Sequence, residues 1–140
     1  MNHVRFVVPG APVAKGRPRI GKVGNHARMF TPAKTVNYEG LVAHEGHVAM
    51  AGRPLILGAV SMVLDVRLQV PASWSKRKQA QALDGTLHPA TRPDLDNIEK
   101  AISDGLNGVV WKDDAQVVEV RKCKRYAETP GVTVEIEELM

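Results

Sequence analysis

The sequence predicts an α+β protein, a small single domain spanning residues 1–140 in which a mixed β-sheet packs with helices. Three observations predict it. Strand-like alternation recurs at the start, the middle and the end of the chain, and apolar residues at three- and four-residue spacing fill the stretches between. Apolar residues make up 44% of the chain and charged residues 24%, a balance that lets 140 residues bury a core without covalent staples.

The first strand is His3 to Pro9, which alternates loosely and stops at proline. Gly10 to Met29 mixes glycine, proline and basic residues without apolar periodicity, so residues 10–29 read as a basic mobile loop. Thr31-Pro32 has the form of a helix start, threonine capping and proline in the first turn, and the helix runs to about Met50. Leu55 to Val70 is rich in branched residues, with Leu64, Val66, Leu68 and Val70 facing a core; Gly58 is a point where the strand could break in two. Ser73 to Leu83 is a short helix with a basic face, capped by Ser73 or Ser75, and Asp84 to Pro93 is a loop. From Leu95 the positions Leu95, Ile98, Ile102 and Leu106 form the stripe of an amphipathic helix ending near Asn107-Gly108. Gln116–Ala127 and Val132–Ile136 are the last strands, expected to form a hairpin through Thr129-Pro130-Gly131.

A lone Cys123 leaves no internal disulfide and no cysteine-based zinc cluster, and its ordinary role is that of a small residue in a strand. Met1 to Gly10 lacks the long apolar core of a signal peptide, and Asp65, Arg67 and Gln69 interrupt the most apolar stretch, so we expect a cytoplasmic protein with no membrane span. The net charge of +4 is unevenly spread. Residues 1–40 carry Arg5, Lys15, Arg17, Arg19, Lys22, Arg28 and Lys34 against Glu39 alone. In residues 91–120, Arg92, Lys100 and Lys112 face Asp94, Asp96, Glu99, Asp104, Asp113, Asp114 and Glu119. Cations to hold a phosphate backbone beside carboxylates to hold a metal ion are what hydrolysis of a phosphodiester requires.

The chemistry centres on R-P-D-L-D-N at residues 92–97. Asp96, Lys100 and Asp104 recur every four residues and stack as a polar ridge opposite the apolar stripe. Such a ridge also suits a plain solvated face, with an N-cap aspartate and ion pairs of Lys100 to Asp96 or Asp104. Asp94 and Asp96 crowd the helix start, however, and Asp113-Asp114 follows just before the next strand, which could return Asp114 to them. Three converging carboxylates repel unless a cation joins them, and magnesium prefers hard oxygen ligands. One or two such ions would polarise a phosphate and activate water, with Lys100 neutralising phosphate charge or orienting the nucleophile.

Other chemistries fit less well. An EF-hand loop would need an acid or amide at Ile98 and glycine at Glu99. His3, His26, His44, His47 and His88 are scattered; His44 and His47 share a helix face, but no H-E-x-x-H is present. No phosphate-binding G-x-x-x-x-G-K-[ST] loop and no nucleophilic serine motif occurs.

The stretch R-P-D-L-D-N-I-E-K-A-I-S-D-G-L-N-G-V-V-W-K-D-D-A-Q-V, residues 92–117, resembles the signature of RusA-type crossover junction endodeoxyribonucleases. Asp94, Asp96, Lys100, Asp104, Trp111, Asp114 and Gln116 stand at its positions. G-A-P-V-A-K-G-R-P-R at 10–19 and M-F-T-P-A-K at 29–34 resemble phage and prophage members of that family, whereas residues 50–90 match only in pattern. The resemblance implies a homodimer of small α+β subunits that places paired, symmetric nicks in four-way DNA junctions, using Mg2+, with Mn2+ able to substitute. Carried over, it implies Asp94, Asp96 and Asp114 as catalytic, metal-binding carboxylates and Lys100 as an essential lysine.

Two symmetric nicks need two active sites related by a two-fold axis, which suits a homodimer. Candidates for DNA contact are Lys15, Arg17, Arg19, Lys22 and Arg28 on the basic arm and Lys76 and Arg77, with Lys78, on the short helix, although solvated surface charge would look the same. Two alternatives remain: a nuclease for other branched DNA such as flaps and forks, and a non-catalytic DNA-binding factor whose acids only cap and pair.

Overall fold

The computed structural model describes residues 2–16, 19–23, 26–30 and 32–140, with 19–23 and 26–30 described by backbone pairing alone. In chain order the elements are β1 (His3–Pro9), β2 (Arg19–Val23), β3 (His26–Phe30), α1 (Ala33–Met50), β4 (Val60–Gln69), α2 (Lys76–Leu83), α3 (Leu95–Leu106), a 3-10 turn (Asp114–Gln116), β5 (Val117–Ala127) and β6 (Gly131–Glu138). The α+β class expected from the sequence is the class observed.

Period-two alternation builds a four-stranded sheet in the order β1-β6-β4-β5. β6 runs antiparallel to both β1 and β4, and β5 runs parallel to β4, so the sheet is mixed. Val4, Phe6 and Val8 of β1, Val132, Val134 and Ile136 of β6, and Val60, Met62, Leu64 and Val66 of β4 turn one face inward. Onto that face pack Tyr38 and Val42 of α1 and Ile98, Ala101, Ile102 and Leu106 of α3. Leu68 packs at the core margin, and Val70 lies beyond the strand, half-buried.

α1 and α3 approach closely because glycine stands where they cross. A Cβ on Gly105 would fall 2.9 Å from the Glu39 carbonyl oxygen and 2.9 Å from Val42 Cβ. One on Gly46 would fall 2.7 Å from Leu106 Cδ2. α1 begins after Pro32, the Thr31 cap lying outside the described residues, and α2 begins after Ser75, whose hydroxyl accepts from the Lys78 amide at 3.2 Å.

Two expectations are corrected. The last two strands form no hairpin, because β4 lies between them and Glu128–Pro130 crosses the width of one strand instead of turning back. β5 carries Glu119, Arg121, Lys122, Lys124 and Arg125 and buries only Tyr126, so it belongs at an edge that water can reach. β6, with Val132, Val134 and Ile136, fills an inner position. Residues 10–29 are also not one irregular loop: β2 and β3 form a two-stranded antiparallel sheet with Ile20 opposite Met29 and Lys22 opposite Ala27. Strands five residues long, mixing basic and apolar residues, show too little apolar periodicity to be read from sequence. Among the described residues, no helix is long and apolar enough to cross a membrane.

Candidate active site

α3 lies along the helix-facing side of β5, and the charged residues of both elements meet in the gap. Asp94 is the N-cap residue of α3 in extended geometry, and its carbonyl accepts from the Ile98 amide at 3.0 Å. Its carboxylate makes no capping bond. The helix start thus leaves that carboxylate outside the helix's own hydrogen bonding, unlike an ordinary N-cap aspartate.

The loop presenting Asp94 is held from β5. Lys124 Nζ donates to the carbonyls of Thr91 at 2.6 Å and Pro93 at 3.0 Å. One strand repeat back, Lys122 Nζ pairs with Asp96 at 2.5 Å and with Glu99 at 2.9 Å. Hydrogen bonding from Lys122 holds the Asp96 carboxyl below its usual range. Burial acts to lower Lys122, but Asp96 and Glu99 outweigh it and leave the ammonium raised.

Further along α3, Lys100 Nζ lies 2.8 Å from Asp104 Oδ1 and 3.4 Å from Asp114 Oδ2. Lys15 completes this chain of charges, 3.1 Å from the other Asp104 oxygen and paired also with Glu39 of α1. The Lys15 amide donates to the Asn97 carbonyl at 2.8 Å, tying the segment after β1 to the start of α3. Burial alone would raise Asp104, yet Lys100 and Lys15 together depress it. Lys100 is raised, chiefly by its bond to Asp104.

Asp114 owes its place to its neighbours. Trp111, with 0% exposure, is anchored in the core and donates Nε1–H to Asn107 Oδ1 at 2.8 Å. The Gln116 side chain accepts from the Lys112 and Asp113 amides at 2.9 and 3.1 Å and donates to the Ile56 and Gly58 carbonyls at 2.7 and 3.0 Å. Asp113 accepts from the Ala115 amide, so it closes the turn while Asp114 faces α3. In W-K-D-D-A-Q, tryptophan and glutamine act as the mount and the second aspartate as the group mounted.

The structure therefore brings Lys100, Asp104 and Asp114 together, and keeps Asp94 and Asp96 on the other side of Lys100. Lys100 pairs with Asp104 and not with Asp96. The direct convergence of three carboxylates is not observed: among the described residues, no group of three His, Cys, Asp or Glu side chains stands close enough to hold a metal ion. Lysine ammonium groups occupy the gaps instead. As donors, Asp94, Asp96 and Asp114 supply only carboxylate oxygens, the chemistry magnesium favours, and the Asp96 side chain is 90% exposed.

Of the residues read as DNA contacts, Lys15 is turned into the charge chain, while Lys76 and Arg77 are exposed in the first turn of α2. Arg19, Lys22 and Arg28 lie on β2 and β3, their side chains outside the described part of the structure, as is the whole of Arg17. A cavity of about 880 Å³ opens between residues 12–16, the start of α1 and residues 92–97, with Lys15, Lys34 and Arg92 on its walls and Asp94 at its edge.

Sequence reasoning missed Lys122 and Lys124. The signal was available: in β5, Val120, Lys122, Lys124 and Tyr126 share one face, and Tyr126 is buried. Lysines on the same face as a buried tyrosine point towards the helix layer and ask for partners there.

A cation-walled groove bordered by a carboxylate and lysine ridge has the charge pattern that a phosphodiester backbone calls for. The chain belongs to the RusA endodeoxyribonuclease family, whose model, described as "Endodeoxyribonuclease RusA", matches residues 9–137. It is thus of an endonuclease class. It is also similar to a Bacillus subtilis (strain 168) protein carrying the name "Uncharacterized protein YqaN", with 41% identity over 143 residues covering 99% of each chain.

Proposed function

We propose that the protein is a magnesium-dependent, structure-specific endonuclease that resolves four-way DNA junctions by paired symmetric nicks, acting as a homodimer in the bacterial cytoplasm during recombination and repair. Family membership over residues 9–137 is the observation that carries this reading. The contact between Lys100 on α3 and Asp114 before β5 supports it, because it joins the two parts of the signature in one place.

In this reading Asp94, Asp96 and Asp114 would supply the oxygen ligands of the metal, which requires Lys122 and Lys100 to release the acids they hold in this structure, and manganese would substitute for magnesium. When bound, the ion supplies Lewis acidity to the scissile phosphate and lowers the pKa of water. The protein's own residues do the remainder. Lys100 donates to a phosphate oxygen, offsetting charge that builds as the bond breaks. Lys124 fixes the Thr91–Pro93 backbone so that Asp94 keeps its position, and Lys122 screens Asp96 from Glu99. Lys34 and Arg92 on the groove wall hold the backbone without reading sequence. The products carry a 5′-phosphate and a 3′-hydroxyl.

A second reading has one observation in its favour: the lysines satisfy the acids pairwise, as in a DNA-binding factor that never cleaves. A labelled four-way junction, a flap and a linear duplex, each incubated with magnesium, with manganese and without metal, separate the readings. Symmetric nicks in the junction alone support resolution, and nicks in every branched form widen the substrate to flaps and forks. Binding without cleavage under either metal favours the second reading.

A further inference from the structure

Sharing Pro12, Arg92 and Pro93 with the groove is a second pocket, of about 480 Å³, a size that suits a small organic ligand. Its walls are mostly apolar, with Trp74, Tyr126, Leu68, Pro71 and Pro93 among them beside the polar Gln69 and Thr91. The Trp74 and Tyr126 rings meet edge to face, with centroids 5.4 Å apart and planes at 71°, so each fixes the other's orientation. Lys78 Nζ stands 4.0 Å from the Trp74 ring centroid. Arg92 lines the pocket, and Lys76 and Arg77 follow Trp74 by two and three residues in the first turn of α2. None of these three enters an ion pair among the described residues. Helix stability does not explain cations in a first turn, since the macrodipole disfavours them there.

We propose that this pocket takes one unstacked nucleobase of the DNA substrate, with Trp74 as its stacking surface and Arg92, Lys76 and Arg77 on the flanking phosphates. A planar aromatic ring bearing anionic groups is the ligand that matches a largely apolar, aromatic-walled pocket with Arg92 in its lining and the basic first turn of α2 following Trp74. Arg92 and Pro93 line both this pocket and the groove beside Asp94, so a base seated here sets the position of the backbone that passes the carboxylates. Bases inside an intact duplex are stacked and cannot enter; a base at a branch point or in a single strand can. The pocket thereby supplies a physical source for structure preference, and it rests on the endonuclease reading above.

The test is made without magnesium, so that binding is read apart from cleavage. Tryptophan emission of the wild-type protein is followed while a short single strand, a four-way junction or a blunt duplex is added. Trp111 is fully buried, so Trp74 is the reporter. The single strand and the junction should quench the emission, and the duplex should leave it nearly unchanged. Trp74→Ala should raise the Kd for the junction roughly tenfold, with Trp74→Phe recovering most of the loss. Junction binding at saturation with unchanged emission overturns the proposal, and so does equal weakening of junction and duplex by Trp74→Ala. Should that variant fail to fold, the wild-type quenching decides. If the pocket fails while magnesium still brings cleavage, the nuclease reading stands; quenching without cleavage under any metal removes the nuclease reading and keeps the pocket. Failure to bind any of the three DNAs overturns both.

Discussion

Lys100 Nζ lies 3.4 Å from Asp114 Oδ2, and this contact joins the helix that begins with D-L-D to the turn that delivers the second D-D acid. The lysine side chain is half exposed while its partners Asp104 and Asp114 are less so, which leaves the ammonium open to a phosphate. Lys100→Met should lower single-turnover cleavage by about 100-fold or more, the usual cost of removing one electrostatic donor. Junction affinity measured without metal should change by less than about threefold, since one phosphate contact is a small part of the binding energy. A large loss of affinity with cleavage intact would place Lys100 in binding and not in chemistry.

Lys124 acts through Asp94 and is therefore a positioning residue. Its two bonds to the Thr91 and Pro93 carbonyls hold the loop that leads into the N-cap of α3. Lys124→Met should lower kcat by ~10- to 100-fold with little change in KM, as expected when a reacting group is displaced without loss of substrate contacts. Lys124→Arg, which retains donors to carbonyl oxygens, should recover part of the rate. A change confined to KM would show that Lys124 contacts DNA directly.

Close packing of α1 on α3 depends on Gly105. The methyl of Gly105→Ala meets the Glu39 carbonyl oxygen and Val42 Cβ, backbone and branched atoms that cannot swing aside. Urea denaturation should show a loss of about 1–3 kcal/mol, the range for overpacking a filled core. Because Glu39 and Asp104 both hold Lys15, separation of the helices should also disturb the charge chain. Ala at Gly40, where a Cβ meets nothing, is the matched control and should be neutral or slightly stabilising.

The same charge chain sets a pH window for stability. Asp104 has a depressed carboxyl, so its contribution is complete above the unfolded value of 3.8 and is lost as pH falls through the lower folded value. Lys100 is raised, so its contribution is complete below 10.5 and is lost as pH rises through the higher folded value. Urea midpoints should be level between about pH 5 and 9 and fall on both sides. Asp104→Asn should lower the plateau and flatten both limbs; limbs of unchanged slope would show that other groups control them.

Much of this architecture was legible because burial and periodicity coincide. Val4, Phe6 and Val8, Leu64 and Val66, and the stripe Ile98, Ile102 and Leu106 are buried as their spacing demands. The failures are those of long-range order. Thr129-Pro130-Gly131 has the local form of a turn, yet no local rule says whether a chain turns into the neighbouring strand or passes over it. The charged face of β5 held the answer, since Lys122 and Lys124 need water or acids and find Asp96, Glu99 and the loop before Asp94. At the site, spacing located the Asp96, Lys100 and Asp104 ridge, and it left open which acid Lys100 pairs with. Asp104 wins because Asp96 is taken by a lysine 26 residues away, beyond the reach of helix periodicity.

In the proposed function Asp94, Asp96 and Asp114 serve cleavage and not folding. Its most direct measurement compares wild type with Asp94→Asn, Asp96→Asn and Asp114→Asn on a labelled mobile four-way junction, scoring cleavage with magnesium and binding without it. The expected result is magnesium-dependent paired nicks by the wild type, no detectable cleavage by any of the three variants, and junction affinity within a few-fold of wild type for all. Cleavage that survives all three substitutions, or binding lost in all three together with cleavage, would contradict it.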